Sequence, residues 1–182
     1  MTRITDKVVA YITRNQQLLV FRHVHFPEAG IQVPAGTVEP GEPLPAAVLR
    51  EAREETGLEG LPIRAFLGTR ESTVGGDAVR RHFFHLTWQG SGPDRWRHHE
   101  LDPSDGSPAP IEFELYWVDY PGAVPELAGG QGELLHALVR DGIRDAPKTH
   151  LPGRTGSPSE DCRPRSHLVL DASQEGEHSA SA

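Results

Sequence analysis

The sequence predicts a single α+β domain with a mixed β-sheet, followed by a disordered C-terminal tail. Apolar, β-branched-rich runs alternate with turn residues, one segment has helical spacing with well-marked ends, and the composition changes after residue 146. At 182 residues the chain is long enough for one domain with its own core, and it is too short for two comfortable ones. We therefore expect a domain over residues 1–146 and a tail over residues 147–182.

The predicted sheet begins with an antiparallel hairpin. Two apolar runs at residues 8–13 and 18–22 flank a polar turn, which is the pattern of a hairpin. Pro34 stops a later strand because it has no N–H to donate to a ladder, and a loop is expected between Pro34 and the first helix. The remaining strands are expected at residues 31–33, 62–73, 79–88 and 111–118.

Two helices are predicted, and the first has the clearest ends. Pro43 and Pro45 fit the first turn of a helix over residues 44–56, where amides have no intrahelical acceptor to lose. Gly57 can adopt the left-handed conformation that closes a helix. Apolar residues at helical spacing predict a second helix over residues 132–144, packed at the end of the domain.

Composition and charge exclude several classes of protein. A formal net charge of -8 gives no general attraction to nucleic acid backbones or anionic membranes, so long nucleic acids are not expected as partners. The N-terminal residues lack the long apolar run of a secretory signal or a membrane-spanning helix. The single cysteine, Cys162, excludes an intramolecular disulfide framework and fits a reducing compartment, and the cytoplasm is the expected location.

Three glutamates of the first predicted helix indicate a metal site. Glu51, Glu54 and Glu55 stand at i, i+3 and i+4, so they crowd one side of the last turns, near the negative end of the helix dipole. The same side continues back to Val48 and Leu44, which are expected to face the core. Carboxylates on such a face need compensation, and a hard divalent cation such as Mg²⁺ supplies it.

A solvated helix surface is the simpler interpretation of these glutamates. Arg50 and Arg53 can offset their charge through surface ion pairs, each contributing under about 1 kcal/mol. The residues at fixed offsets around the helix favour the metal site instead. They are the glycine-containing loop before the helix, Glu42, the adjacent Arg50 and Glu51, and the terminal Gly57.

The stretch from Gly36 to Leu58 resembles the Nudix box, G-x5-E-x7-R-E-U-x-E-E-x-G-U, in which U is an aliphatic residue. Every specified position matches, with the small Ala52 as the only mild departure. The resemblance implies a Nudix-type α/β/α sandwich. It also implies a hydrolase that cleaves a phosphoanhydride bond in a nucleoside diphosphate linked to another group, with Mg²⁺ or Mn²⁺ as cofactor.

The resemblance also implies roles for individual residues. Glu51, Glu54 and Glu55 are the implied metal ligands, together with the backbone carbonyl of Gly36. We expect Glu54 to deprotonate the attacking water, although family members differ in which residue serves as base. Two supporting residues complete the set. Arg50 orients a carboxylate, and Glu42 supports the metal shell, closes the loop on the helix, or caps the helix.

Residues outside the motif are weaker candidates. Arg22 and Phe26 are predicted to bind substrate, through a phosphate and through stacking on a nucleobase. Other candidates for these two roles are His23, Arg70, Phe21, Phe83, Phe84, Trp88 and Trp117. The run His98-His99-Glu100 lacks zinc-ligand spacing and indicates a solvated loop. The possible distal bases or ligands, which the sequence does not rank, are Glu100, Glu112, Glu114 and Glu126.

A hydrolase and a catalytically silent nucleotide-sensing module are both compatible with a Nudix fold. The retained glutamates favour the hydrolase, because a module that only binds has no need of them. Nucleoside triphosphates, nucleotide sugars or ADP-ribose, dinucleoside polyphosphates and RNA 5′ ends remain open as substrates. The net charge of -8 favours a small nucleotide. The family resemblance also makes a homodimer an expectation.

Overall fold

The computed structural model describes residues 4–101, 103 and 110–140. The predicted tail at residues 147–182 lies outside the described residues, so the domain limits stay a prediction. Short 3-10 turns lie at Pro27–Ala29 and Ala128–Gly130. The strands and helices, in chain order, are β1 (Ile4–Arg14), β2 (Gln17–His23), β3 (Ile31–Gln32), β4 (Ala35–Thr37), α1 (Leu44–Thr56), β5 (Ile63–Val74), β6 (Asp77–Thr87), β7 (Arg95–Glu100), β8 (Ile111–Asp119) and α2 (Ala137–Arg140).

The strands form one mixed sheet, as predicted. Its order is β5-β6-β1-β2-β8-β7, with β3 added to β2 and β4 added to β1. The β1–β6 pair is parallel, and the other pairs of named strands are antiparallel. The hairpin strands β1 and β2 pair only beside their turn, and further along each has a different neighbour, β4 or β3. The two strands therefore separate, and the candidate active site lies where they do.

Both faces of the sheet are covered, which gives the expected sandwich. Side chains alternate between the faces of a strand, so successive residues of β1 enter different cores. Val8, Ala10 and Ile12 pack with α1 on one face, here called the helix face. Val9 and Tyr11 pack on the opposite face with the segment that includes α2. The α+β fold class predicted from the sequence is confirmed.

Helix α1 has the predicted bounds. Pro43 precedes it in an extended conformation, and Gly57 ends it with a φ of 70° and an N–H bonded to the carbonyl of Arg53. The buried residues of α1 form one stripe that begins with Ala47 and Val48 and ends with carboxylates. The complete stripe is Ala47, Val48, Glu51, Ala52, Glu55 and Thr56. The acidic residues thus extend the core-facing side of the helix.

The predicted helix over residues 132–144 is wrong in its first part. Residues 131–136 form consecutive turns, and α2 begins only at Ala137, while residues 141–144 lie outside the described residues. Tyr11 accounts for part of this difference, because its buried hydroxyl donates to the Gln131 carbonyl and accepts from the Leu134 N–H. The hydroxyl of Tyr120 donates to the Leu135 carbonyl at 2.6 Å. No helix in the described part is long and apolar enough to cross a membrane.

Two strands were not predicted, and both contribute to the site. β4 lies in the expected loop, where Gly36 pairs with Val8 of β1. β7 contains His98-His99-Glu100, so the solvated-loop interpretation of that run is wrong. Along β7 the exposed side chains alternate with more buried ones, ending at the buried Glu100. Pairing with β8 determines this conformation, and a local sequence pattern does not reveal it.

Candidate active site

A cavity of about 290 Å³ lies where β1 and β2 separate. Residues of α1 and of most strands line the cavity, and its charged side chains include both acidic and basic ones. The acidic residues are Glu51, Glu55 and Glu100. The basic residues are Lys7 and Arg81. The Nudix-box residues that reach the cavity are therefore Glu51, Glu55 and Gly36.

Gly36 and Glu51 fit closely against each other. Glu51 is 1% exposed, and a Cβ atom placed on Gly36 would lie 1.9 Å from its carboxyl carbon. Such a distance is far inside van der Waals contact, so the absence of a side chain at Gly36 is what lets the carboxylate lie against the β4 backbone. The backbone of β4 and the carboxylate of Glu51 therefore share one wall of the cavity.

Glu55 is the second carboxylate of the cavity, and it is 7% exposed. Its Oε2 accepts a hydrogen bond of 2.8 Å from the backbone N–H of Ala35. Burial raises the pKa of Glu55 well above its usual value, and the nearby Glu100 and Glu51 raise it further, while the Ala35 N–H and Lys7 act in the opposite direction. The charged form of Glu55 thus lacks sufficient compensation from the protein.

Glu100 is the third acidic residue, and the structure distinguishes it from the other distal glutamates. It is 5% exposed and lines the cavity at the end of β7. Glu112 and Glu114 form ion pairs with arginines, Glu112 with Arg97 and Glu114 with Arg22. Glu126 is exposed. Of the four candidates, only Glu100 faces the other cavity carboxylates.

Arg50 organises the carboxylates beside the cavity. Its guanidinium makes five hydrogen bonds, two of them to Glu42, and the others to Glu51, Glu54 and the carbonyl of Thr37. These bonds match the five N–H donors of the side chain. The hydrogen bonds from Arg50 lower the pKa of Glu42. Arg50 therefore positions carboxylates, and Glu42 ties the loop to α1 through it.

We expect Arg50→Lys to destabilise the protein as well as the site. A lysine keeps the charge but cannot make the forked set of hydrogen bonds to Glu42, Glu51 and Thr37. The free energy of unfolding should fall by about 1–3 kcal/mol, measured by urea denaturation in EDTA. Arg53→Lys is the matched control, since Arg53 is exposed on the same helix. Equal stability of the two variants would contradict the positioning role.

Strand β7 also supplies hydrogen-bond donors to the end of α1. The indole Nε1 of Trp96 donates to the carbonyl of Thr56 at 3.0 Å, and the imidazole Nε2 of His98 lies 2.9 Å from the carbonyl of Glu54. The last carbonyls of a helix have no intrahelical partner, and donors there offset the negative end of the helix dipole. β7 thus fixes the helix end that bears the glutamates.

The predicted substrate-binding residues lie away from the cavity. Arg22 pairs with Glu114 and lines a separate shallow depression with His23 and Arg97. Phe26 is 58% exposed and does not line the cavity. His23 contributes to both the depression and the cavity.

The other aromatic candidates for stacking are mostly core residues. Phe21, Phe83 and Phe84 are buried, and the rings of Trp88 and Trp117 stack on each other 5.7 Å apart. They do not line the cavity. The polar cavity residues that sequence reasoning missed are Lys7, Gln32, Arg81 and Gln131. Lys7 directly precedes the first predicted strand, Arg81 follows another arginine within a later one, and no motif marks either residue.

The carboxylates do not form a ready-made ligand cluster. Among the described residues, no three His, Cys, Asp or Glu side chains are arranged to hold a metal ion. The reason is visible in their partners, because Glu51 and Glu54 accept from Arg50, whereas Glu55 accepts from Ala35. The donor set nevertheless fits a hard cation, since Glu51, Glu55 and Glu100 are buried oxygen donors around one cavity.

Known proteins share a domain family and a fold with this chain. A model of the NUDIX domain matches residues 3–138, well over half of the chain. The solution structure of the E. coli ORF135 protein is 26% identical with a TM-score of 0.51, and the match covers 80% of this chain and 96% of that one.

Two further solved structures share the fold. The MutT NUDIX hydrolase from Burkholderia pseudomallei is 22% identical with a TM-score of 0.55, over 75% of this chain and 98% of that one. The E. coli dihydroneopterin triphosphate pyrophosphohydrolase is 19% identical with a TM-score of 0.52, over 76% of this chain and 94% of that one. No curated protein matches the sequence. With a NUDIX domain model matching most of its length, this chain belongs to the NUDIX domain family and is a Nudix hydrolase, an enzyme that acts on acid anhydrides.

Proposed function

We propose that this enzyme hydrolyses the pyrophosphate bond of a small nucleoside diphosphate derivative, with Mg²⁺ or Mn²⁺ as its cofactor. The observation that carries the proposal is the gathering of Glu51, Glu55 and Glu100, all nearly fully buried, around one cavity beside Gly36. Buried carboxylates need a cationic partner, and so do the phosphates of a nucleotide. A divalent cation between the carboxylates and the phosphates supplies positive charge to both groups.

The proposed ligands are Glu51, Glu55 and the backbone carbonyl of Gly36, with Glu100 as an addition that the cavity favours. Glu54 stays in the set on the family resemblance alone, because its carboxylate accepts from Arg50 and does not line the cavity. Oxygen donors of this kind suit Mg²⁺ and Mn²⁺. When bound, the cation supplies charge neutralisation on the phosphates and Lewis-acid activation of water.

In the proposed hydrolysis, a carboxylate of the chain accepts the proton that the attacking water loses. A water oxygen bonds to one phosphorus while the bond from that phosphorus to the bridging oxygen breaks, and the water proton passes to a carboxylate. The carboxylates Glu55 and Glu100 line the cavity, where such a proton can be accepted. Glu54 is the base expected from the sequence, and its contact with Arg50 makes Glu55 the first alternative. Arg50 acts by positioning Glu51.

The substrate proposal is a small nucleotide rather than a polymer. The volume of about 290 Å³ suits a pyrophosphate group and part of its substituent. The net charge of -8 provides no basic footprint for long RNA. One similar structure is named as a pyrophosphohydrolase of dihydroneopterin triphosphate, a small triphosphate, which supports the same size class. A cytoplasmic location and a homodimer are proposed on composition and family membership alone.

The test is a nucleotide panel with identified products. Nucleoside triphosphates, ADP-ribose, nucleotide sugars and dinucleoside polyphosphates are each incubated with the purified chain and Mg²⁺, Mn²⁺ or EDTA. Phosphorus NMR then identifies the products, and ¹⁸O-labelled water shows which phosphorus is attacked. We expect turnover of at least one small nucleotide, with cleavage of the pyrophosphate bond, and none in EDTA.

Two results would contradict the proposal. Turnover that continues undiminished in EDTA would remove the role of the cation. Tight binding of a nucleotide without turnover under any metal condition would favour the nucleotide-sensing module instead.

A further inference from the structure

Lys7 and Arg81 form a pair of cations in the cavity. They are register partners on the parallel strands β1 and β6, so their side chains leave the sheet on the same face. That face is the one away from α1, because Lys7 shares it with Val9 and Tyr11, which follow at intervals of two residues, and Arg81 shares it with Phe83. Both residues line the cavity that contains Glu51 and Glu55.

Lys7 interacts with the charge of Glu55, and the hydrogen-bond partner of Arg81 is neutral. Arg81 is 9% exposed, and its hydrogen bond is to the hydroxyl of Ser72, at 2.6 Å. Within residues 4–101, 103 and 110–140, no carboxylate oxygen lies within 4.0 Å of the side-chain nitrogens of Lys7 or Arg81. The adjacent Arg80, on the other face of β6, pairs with both Glu71 and Asp6. A buried guanidinium without a directly paired anion is costly, so Arg81 differs from Arg80 on the same strand.

The surroundings of Arg81 leave room for a ligand and provide further donors. The turn at Gly129 and Gly130 runs beside its guanidinium, and a Cβ atom on Gly130 would lie 3.9 Å from Cζ of Arg81. Gln131 lines the same part of the cavity, with its amide oxygen accepting from the Val33 N–H. The amide nitrogen of Gln131 is 3.4 Å from Gln32, a long contact that a better acceptor can replace.

We infer that Lys7 and Arg81 bind a phosphate of the substrate, so that the cavity holds the phosphate chain between these cations and the carboxylates Glu51 and Glu55. Two adjacent cations match a dianionic group, and an arginine fork matches two oxygens of one phosphate. The carboxylates repel a phosphate whose charge is not neutralised. In the absence of a cation, a phosphate is therefore attracted to the end of the cavity that contains Lys7 and Arg81. The inference rests on the proposed function for the identity of the ligand as a nucleotide phosphate.

Inorganic pyrophosphate is the probe, since it tests phosphate binding without turnover. Calorimetry on the full chain in EDTA gives its Kd for wild type, Arg81→Gln, Lys7→Gln and the control Arg80→Gln. We expect Arg81→Gln and Lys7→Gln each to weaken binding about ten- to a hundredfold, as for loss of a hydrogen bond between charged groups, and Arg80→Gln to leave it unchanged. Arg81→Lys should recover part of the loss. Thermal unfolding checks that Arg81→Gln folds, and Lys7→Gln tests the site should it not.

The same variants separate this inference from the proposed function. On a substrate found in the panel, Arg81→Gln and Lys7→Gln should raise KM more than they lower kcat. Pyrophosphate binding that depends on both residues supports the inference even in a chain that hydrolyses nothing. Unchanged Kd and KM in both variants would overturn it while leaving hydrolysis established. Wild-type chain that binds adenosine as tightly as pyrophosphate would also overturn it, since the site would then recognise an uncharged group.

Discussion

Replacing Glu51 with glutamine is expected to reduce kcat/KM by at least about a hundred- to a thousandfold, as for loss of a group that stabilises charge in the transition state. Glu51 is almost fully buried, contacts the Gly36 backbone and accepts from Arg50. Glutamine keeps the shape but removes the negative charge that a divalent cation requires. Steady-state kinetics on a panel substrate measures the effect.

Two comparisons make the Glu51→Gln result specific. Glu59→Gln removes an exposed glutamate just beyond the same helix and should retain wild-type kcat/KM. Thermal unfolding in EDTA should show that Glu51→Gln is folded, because glutamine keeps the shape of the side chain and its amide oxygen can still accept from Arg50. Wild-type turnover by the Glu51→Gln enzyme would contradict the assignment of this carboxylate to the active site.

The second large effect is expected from Gly36→Ala. The new methyl group would lie 1.9–2.1 Å from the carboxyl atoms of Glu51, so the carboxylate or the β4 backbone must move. Glu51 is almost fully buried and bonded to Arg50, so a shift of its carboxylate into the cavity disturbs that contact. We expect kcat/KM to fall by about a hundredfold, since misplacing a catalytic group by about 1 Å has effects of this size.

Gly122→Ala is the matched control for Gly36→Ala. A Cβ atom on Gly122 has no neighbour within 4 Å, and Gly122 does not have a positive φ. This control should match wild type in both kcat/KM and melting temperature. Full activity of Gly36→Ala would show that Glu51 can be displaced without consequence, contrary to the geometry described above.

The sequence predicted the elements whose cause is local. The bounds of α1 follow from Pro43, Pro45 and Gly57, because backbone rules act on neighbouring residues. The unusual position of Glu51 and Glu55 on the core side of the helix was also readable, since helical spacing fixes which residues share a face. The prediction of a cation site at this helix rests on these two features.

The parts of the fold that the sequence did not predict depend on contacts between distant segments. β7 is a polar edge strand whose pairing with β8 brings Glu100 into the cavity, and no local signal marks that residue. The predicted helix beginning at Gly132 fails where the buried hydroxyl of Tyr11, 123 residues from Leu134, takes backbone hydrogen bonds. Such partners are known only once the sheet is assembled.

The basic residues that line the cavity were not predicted, for a related reason. Arg22 sits next to the motif-bearing region in sequence, yet its side chain pairs with Glu114 outside the cavity. Lys7 and Arg81 are far apart in the chain and become neighbours through the parallel pairing of β1 and β6. Proximity in sequence is therefore a poor guide to the basic residues of this cavity, whereas two of its three carboxylates, Glu51 and Glu55, come from a single helix.

The proposed hydrolysis depends most directly on a divalent cation held by the cavity carboxylates. Electron paramagnetic resonance titration of Mn²⁺ into the full chain, without substrate, measures this binding for wild type and for the Glu51→Gln/Glu55→Gln double variant. We expect wild type to bind Mn²⁺ in competition with Mg²⁺, and the double variant to lose that binding by at least about tenfold, as expected when two charged ligands are removed. Equal Mn²⁺ affinity in the two proteins would contradict the account.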